Sequence, residues 1–211
     1  MNKIVYSVGY MFVIALFFTS LVSIVKLTNE DKIEKNQQIK LQKTILKVLG
    51  IAIKERSSPE NLIRIYNNRI ETIKIKDRDF YLGYDEDGKT IKGYAFPVEG
   101  AGFWGPIQTM VAVDANASSI IGIAFYKHSE TPGLGARISE DWFTEQFSGI
   151  NLSPIEDNKQ FFYLTPSKSG KASNNLDAIT GASRTSDAVE IFLNNELDLF
   201  LKEFWNSLTK G

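Results

Sequence analysis

The segment Asp177-Ala-Ile-Thr-Gly-Ala-Ser-Arg-Thr185 sets three hydroxyl side chains, Thr180, Ser183 and Thr185, around the small pair Gly181-Ala182, just before a long helical pattern. Small residues give a neighbouring hydroxyl room to project. The N–H groups that open the following helix, with the positive end of its dipole, favour a phosphate. Arg184 adds a cation. The chemistry this suits is a hydroxyl presented beside a phosphate cradle, open to modification. The same residues read equally well as a helix N-cap region, with Thr185 or Ser186 as the cap.

Two further segments could take part. In Glu99-Gly-Ala-Gly-Phe-Trp-Gly-Pro106, three glycines within six residues allow tight turns and close ligand approach, and Phe103 and Trp104 could stack on a planar ring. The plainer alternative is a glycine-rich strand connection with its aromatics in the core. In His128-Ser-Glu-Thr-Pro-Gly-Leu-Gly135, Pro132 lacks an N–H and ends any strand before it. The two glycines leave backbone amides accessible, and with Thr131 these could bind a phosphate or a flavin ring edge. Glu130 could instead hold the loop through backbone N–H groups. An ordinary surface turn is the plainer alternative. His128 is the only histidine, and without a second His or Cys it reads as a loop residue rather than a metal ligand.

Composition narrows the chemistry. There is no cysteine, which excludes disulfides, thiolate nucleophiles, iron–sulfur ligation and cysteine zinc sites. The net charge is −1 without a basic block, so nothing points to nucleic acid. The 211 residues accommodate one membrane anchor and one globular domain. Ile4–Val25 carries no charge over 22 residues, enough for a helix to span a bilayer, which needs about 20. No A-x-A cleavage site follows, so the segment reads as a retained anchor rather than a signal peptide.

The elements that must position the three segments follow from periodicity. Asn29–Lys54 reads as a polar, then amphipathic, helix, with Leu41, Ile45, Leu49 and Ala52 at helical spacing. Ser58-Pro59-Glu60 starts a short helix through Tyr66, and Arg69–Ile75 alternates loosely. The β pattern is read from Asp79, with strands at Phe80–Tyr84, Thr90–Val98, Ile107–Val113 and Ile120–Tyr126. Asp85–Gly88 and Asp114–Ser118 are turns. Trp142–Phe147 reads as a short helix closed by Gly149, Phe161–Leu164 as a strand and Pro166–Asn175 as a polar loop. Val189, Leu193, Leu197, Phe200, Leu201, Phe204 and Leu208 form one stripe, which predicts an amphipathic helix over Ser186–Leu208 packed on the sheet.

In order and spacing, GAGFWGPIQTMVAVD, GIAFYKHSETPGLGARISEDWFTEQFSG and DAITGASRTSDAV resemble the FMN-binding domain shared by the Rnf G subunit and the NQR C subunit, NQR being the Na⁺-translocating NADH:quinone oxidoreductase. The resemblance covers nearly the whole chain. It implies an α+β fold: an N-terminal transmembrane helix (1–27), a helical stalk (28–57) and an FMN-binding domain (58–211). In that domain an antiparallel sheet is packed by helices, including a long C-terminal one. It implies that a flavin transferase, with FAD as donor, places FMN covalently on Ser183, where the family's usual acceptor is threonine. Thr185 and Thr180 are fallback acceptors. Asp177, Gly181 and Ala182 match the rest of the motif. Glu130, Thr131, Gly133, Leu134 and Gly135 match the loop that meets the flavin, and Trp104 is carried over with them.

The function so implied is a membrane-anchored flavoprotein that relays electrons as one part of an Rnf/NQR-type ion-translocating complex, rather than an independent enzyme. Its partners would be the other membrane subunits and, during maturation, the flavin transferase. The alternatives are a stand-alone flavinylated electron-transfer protein and a non-redox anchored scaffold without flavin. The resemblance places the FMN domain outside the cell membrane, in the periplasm. The lysines that follow the apolar span, Lys26, Lys32, Lys35 and Lys40 among them, argue for the opposite orientation by the positive-inside rule.

Overall fold

The computed structural model describes residues 2–53, 57–153, 160–166 and 174–208. The chain falls into two compact units, Met1–Leu41 and Gln42–Gly211. Helix α1 runs Asn2–Val48. Its large apolar side chains from Ile4 to Leu27 are all exposed, and its most apolar 18-residue stretch reaches a mean hydropathy of 2.3. By length and composition α1 can cross a membrane. The helix stops at Val48, not at Lys54, which lies outside the described residues. Gly50 takes a left-handed φ of +63°, Gly50 N–H donates to Lys47 O, and Ile51 N–H donates to Leu46 O. That pair of bonds is a Schellman C-cap.

In the second unit, Ser58 caps α2 (Pro59–Arg69) by accepting from Asn61 N–H, with Pro59 in the first turn as the sequence predicts. The helix continues three residues beyond Tyr66 and passes directly into a five-stranded antiparallel meander of order β1-β2-β3-β4-β5. The strands are β1 (Ile70–Ile75), β2 (Arg78–Tyr84), β3 (Ile91–Ala101), β4 (Pro106–Asp114) and β5 (Ile120–Lys127). The sheet therefore begins nine residues earlier than the Asp79 onset read from the sequence. The missed hairpin turns on Lys76 and Asp77, both with positive φ, where the usual Asn-Gly signal is absent.

One face of the sheet holds Tyr94, Phe96, Val98, Ile107, Val111, Ile123 and Phe125, all buried in the main apolar cluster. Against it packs α4 (Ser183–Leu199), extended by a π-helical turn at Phe200–Phe204 and a final helical turn at Trp205–Leu208. Phe96 and Phe200 stack at 4.3 Å, and a side chain at Gly100 would meet Phe192 at 2.1 Å. The predicted stripe is confirmed for Val189, Leu193, Leu197, Phe200 and Phe204, which are buried, while Leu201 is half-buried. The Leu208 side chain lies outside what is described. The opposite face meets the end of α1, where Ile45, Leu46 and Leu49 are fully buried and the Val48 carbonyl comes against Gly122.

After β5, a 3₁₀ turn (Gly135–Ser139) and α3 (Asp141–Thr144) lead through a second 3₁₀ turn to Phe147, and Gly149 has φ +81°. The expected strand near Phe161 is shorter, β6 (Tyr163–Thr165). It pairs in parallel with β7 (Asn175–Asp177), which the sequence did not suggest. Buried Asn194 of α4 accepts from Phe161 N–H and donates to Phe162 O, fixing this pair to the helix. Of the expected polar loop, residues 167–173 lie outside the described residues.

Candidate functional site

β7 delivers the chain to Asp177, whose N–H and carbonyl are both held by the Gln146 side chain, at 2.7 and 3.3 Å. Nothing in the sequence marked Gln146 for that task. The chain then turns at Thr180-Gly181, where Gly181 has φ +81°. Ser186 Oγ accepts from Ile179 N–H and donates to Ala182 O, which tightens the turn from inside. Helix α4 begins at Ser183 and its N-cap is Ala182, which offers no side-chain acceptor. Neither Thr185 nor Ser186 is the N-cap. Both lie within the first turn and both are buried.

Thr185 Oγ1 donates to Glu130 Oε2 at 2.7 Å, and Glu130 is itself only 5% exposed. The other oxygen, Oε1, accepts from Phe103 N–H at 2.8 Å and Trp104 N–H at 3.2 Å. Glu130 does bind backbone N–H groups, but those of the β3–β4 loop rather than of its own. One carboxylate thus joins three segments that are far apart in the chain. Trp104 Nε1–H donates to Thr131 Oγ1 at 3.0 Å, adding a second tie between two of them. Gly135 sits in the angle between them: a β-carbon there would lie 2.6 Å from Glu130 Oε2 and 2.6 Å from Thr185 Oγ1.

These ties enclose a cleft of about 420 Å³ lined by Phe103, Trp104, Glu130, Thr131, Leu134, Gly135 and the run Gly181–Thr185. Ligand sites typically occupy about 300–1,000 Å³. Phe103, Trp104 and Leu134 are exposed at its rim, so the aromatics of the β3–β4 loop are not core residues. The Arg184 guanidinium lies 5.3 Å from the centre of the Phe103 ring, within cation–π range. Ser183 is exposed and lines the cleft, whereas the hydroxyl of Thr185 is buried and already donated. That use leaves Thr185 unsuited to the fallback role. Thr180 is exposed on the turn and Asp177 at the end of β7, and neither lines the cleft, nor does Gly133.

Residues 102–198 match the FMN-binding domain family. They are an FMN-binding domain. The matched stretch holds every residue of the cleft just described. Among curated proteins, the C subunit of the Na(+)-translocating NADH-quinone reductase from Chlamydia caviae is 33% identical over 118 residues, 47% of this chain and 36% of that protein. Its counterpart from Neisseria meningitidis serogroup B is 32% identical over 117 residues, 56% of this chain and 45% of that protein. The chain thus spans less than half the length of these relatives. Among solved structures, the FMN-binding domain and its flanks resemble the corresponding protein of the same reductase from Parabacteroides distasonis. The TM-score is 0.66 at 23% identity, covering 80% of this chain and 93% of that one. NqrC of Shewanella oneidensis gives a TM-score of 0.68 at 19% identity, covering 82% and 97%. At those identities the structural likeness supports the fold, and the fold is the α+β arrangement expected from the sequence.

Proposed function

We propose that this chain carries FMN covalently on Ser183. In this reading it is a membrane-anchored subunit that relays electrons within an Rnf/NQR-type ion-translocating complex. The observation that carries the reading is the exposed Ser183 hydroxyl, set in an aromatic-rimmed cleft at the start of a helix whose N-cap supplies no side-chain acceptor. The first-turn N–H groups of such a helix need an outside acceptor, and a phosphate provides one. Arg184 stands next to that position. Phe103 and Trp104 offer flat apolar surface on the same cleft, which suits a tricyclic ring. Glu130, Thr131 and Gly135 shape the wall between them.

Attachment balances as a phosphoryl transfer. The Ser183 Oγ–P bond forms as the pyrophosphate bond of FAD breaks, AMP leaves, and the hydroxyl proton passes to solvent. A flavin transferase would catalyse it. Bound FMN would supply one- or two-electron chemistry, and this chain would supply position and shielding. Helix α1 would hold the domain in the cell membrane, with the flavin on the extracytoplasmic face. Ion movement would belong to other subunits, because α1 has no charged residue between Ile4 and Val25 to line an ion path.

Intact mass of the chain from its native membrane, followed by peptide mapping, tests the attachment. The expected gain is one FMN less one water on the peptide that holds Ser183, lost in Ser183→Ala. An unmodified mass in cells that make the transferase would sink the covalent reading. Recovery of a flavinylated chain with no other redox subunit would replace the complex by a stand-alone carrier.

A further inference from the structure

His128 stands outside the cleft, half-buried at the base of the loop that forms one wall. Its ring makes two hydrogen bonds, and they assign the tautomer. Glu130 N–H donates to His128 Nδ1 at 3.3 Å, so Nδ1 is the bare acceptor nitrogen. His128 Nε2 lies 2.9 Å from Ser139 Oγ. The Ser139 hydroxyl spends its one proton on Phe125 O at 3.0 Å, so it accepts from the histidine and Nε2 carries the proton. The result is a chain of donors running Glu130 N–H to His128, His128 to Ser139, and Ser139 to the carbonyl of Phe125 on β5.

That chain clasps the loop at both ends. Glu130 opens the part of the loop that lines the cleft, and Ser139 closes the 3₁₀ turn that begins at Gly135. The Glu130 carboxylate holds Phe103, Trp104 and Thr185 only if its own backbone is fixed, and Glu130 N–H is fixed by the imidazole. We infer that His128 is the positioning residue of the cleft: its neutral, Nε2-protonated ring sets the Glu130 backbone and, through that carboxylate, the placement of the Phe103-Trp104 turn and of the first turn of α4. The histidine touches no cleft atom itself. Its consequence for flavin attachment rests on the function proposed above; its effect on the chain does not.

Asparagine separates this role from mere space-filling. Asn at position 128 places an amide oxygen near the place of Nδ1 and can accept from Glu130 N–H as an Asx turn does. Alanine cannot. The test is amide hydrogen exchange read by mass spectrometry on the full chain in detergent, following the peptide that contains Phe103 and Trp104. In His128→Ala these amides should exchange at least about fivefold faster, the effect of weakening one hydrogen-bonded tie, while peptides from β3 and the middle of α4 stay protected. In His128→Asn the rate should stay within about twofold of the parent. Unchanged exchange in His128→Ala, or exchange in His128→Asn as fast as in His128→Ala, would overturn the proposal. If His128→Ala loses protection throughout, Ser139→Ala decides: faster exchange at Phe103 and Trp104 alone supports it, no change there overturns it. Flavin attachment run in parallel should fail in His128→Ala and recover in His128→Asn. A wild-type chain that takes no flavin would count against the proposed function and leave the exchange result standing.

Discussion

Glu130 accepts three hydrogen bonds from groups that have no other acceptor in the described structure: Phe103 N–H, Trp104 N–H and the Thr185 hydroxyl. Removing a buried acceptor leaves its donors unsatisfied, at about 1–3 kcal/mol for each that stays buried. The Phe103-Trp104 turn is partly open to water, which lowers its share. Glu130→Ala should therefore destabilise the domain by about 2–4 kcal/mol in urea unfolding, and Glu130→Gln, which keeps one oxygen acceptor, by clearly less. Equal losses would mean that the side chain's bulk matters rather than its oxygens. The three segments that build the cleft were legible in the sequence because glycine, proline and hydroxyl residues mark unusual backbone locally. Their mutual contacts were not. Glu130 was read as able to bind backbone N–H groups, yet the ones it binds lie 26 and 27 residues earlier, and nothing in the pattern around position 130 says so. Thr185 shows the same limit: by type it matched an acceptor hydroxyl, and only packing reveals that its hydroxyl is already committed.

At the scale of elements, the turns of the meander carry their own chemistry. Asp114 closes the β4–β5 hairpin. Burial alone would raise its pKa, but hydrogen bonds from the side chains of Ser118 and Ser119 and from the N–H groups of Ser118 and Asn116 outweigh that and pull it down to about 2. A carboxyl whose folded pKa lies below its unfolded value, about 3.9, stabilises the fold above that value and loses the contribution as pH falls toward 2. Thermal unfolding followed from pH 5 to pH 2 should thus show a loss that is smaller in Asp114→Ala, because the variant lacks the contribution throughout. Identical slopes for both chains would place the acid sensitivity elsewhere. This hairpin was readable because Asp-Ala-Asn-Ala-Ser has turn residues in the right order. The β1–β2 hairpin was not, since Lys76-Asp77 adopts positive φ under the demand of the strand register rather than by preference. The long C-terminal helix was legible from its stripe. Its start was misplaced by three residues because three hydroxyls in close succession each resemble a cap.

For the molecule as a whole, two sets of features disagree about which side of the membrane the FMN-binding domain occupies. Lysines dominate the residues that follow the apolar part of α1, which by the positive-inside rule would hold them in the cytoplasm. The proposed function needs the flavin outside. The acidic residues Glu30, Asp31 and Glu34 are interleaved with those lysines, but acids count little in that rule. The chain has no cysteine, so a single introduced thiol reports its own location without background from this protein. Glu86 lies on the exposed β2–β3 turn of the second unit, and Lys3 is exposed near the start of α1. If the domain is extracytoplasmic, Glu86→Cys reacts with a membrane-impermeant maleimide in intact cells, after outer-membrane permeabilisation where there is one, and Lys3→Cys reacts only once the cell membrane is broken. The reverse pattern would show that the lysines set the orientation. Electron relay through Ser183-bound flavin would then have to run on the cytoplasmic side, and an extracytoplasmic transferase could not reach the serine.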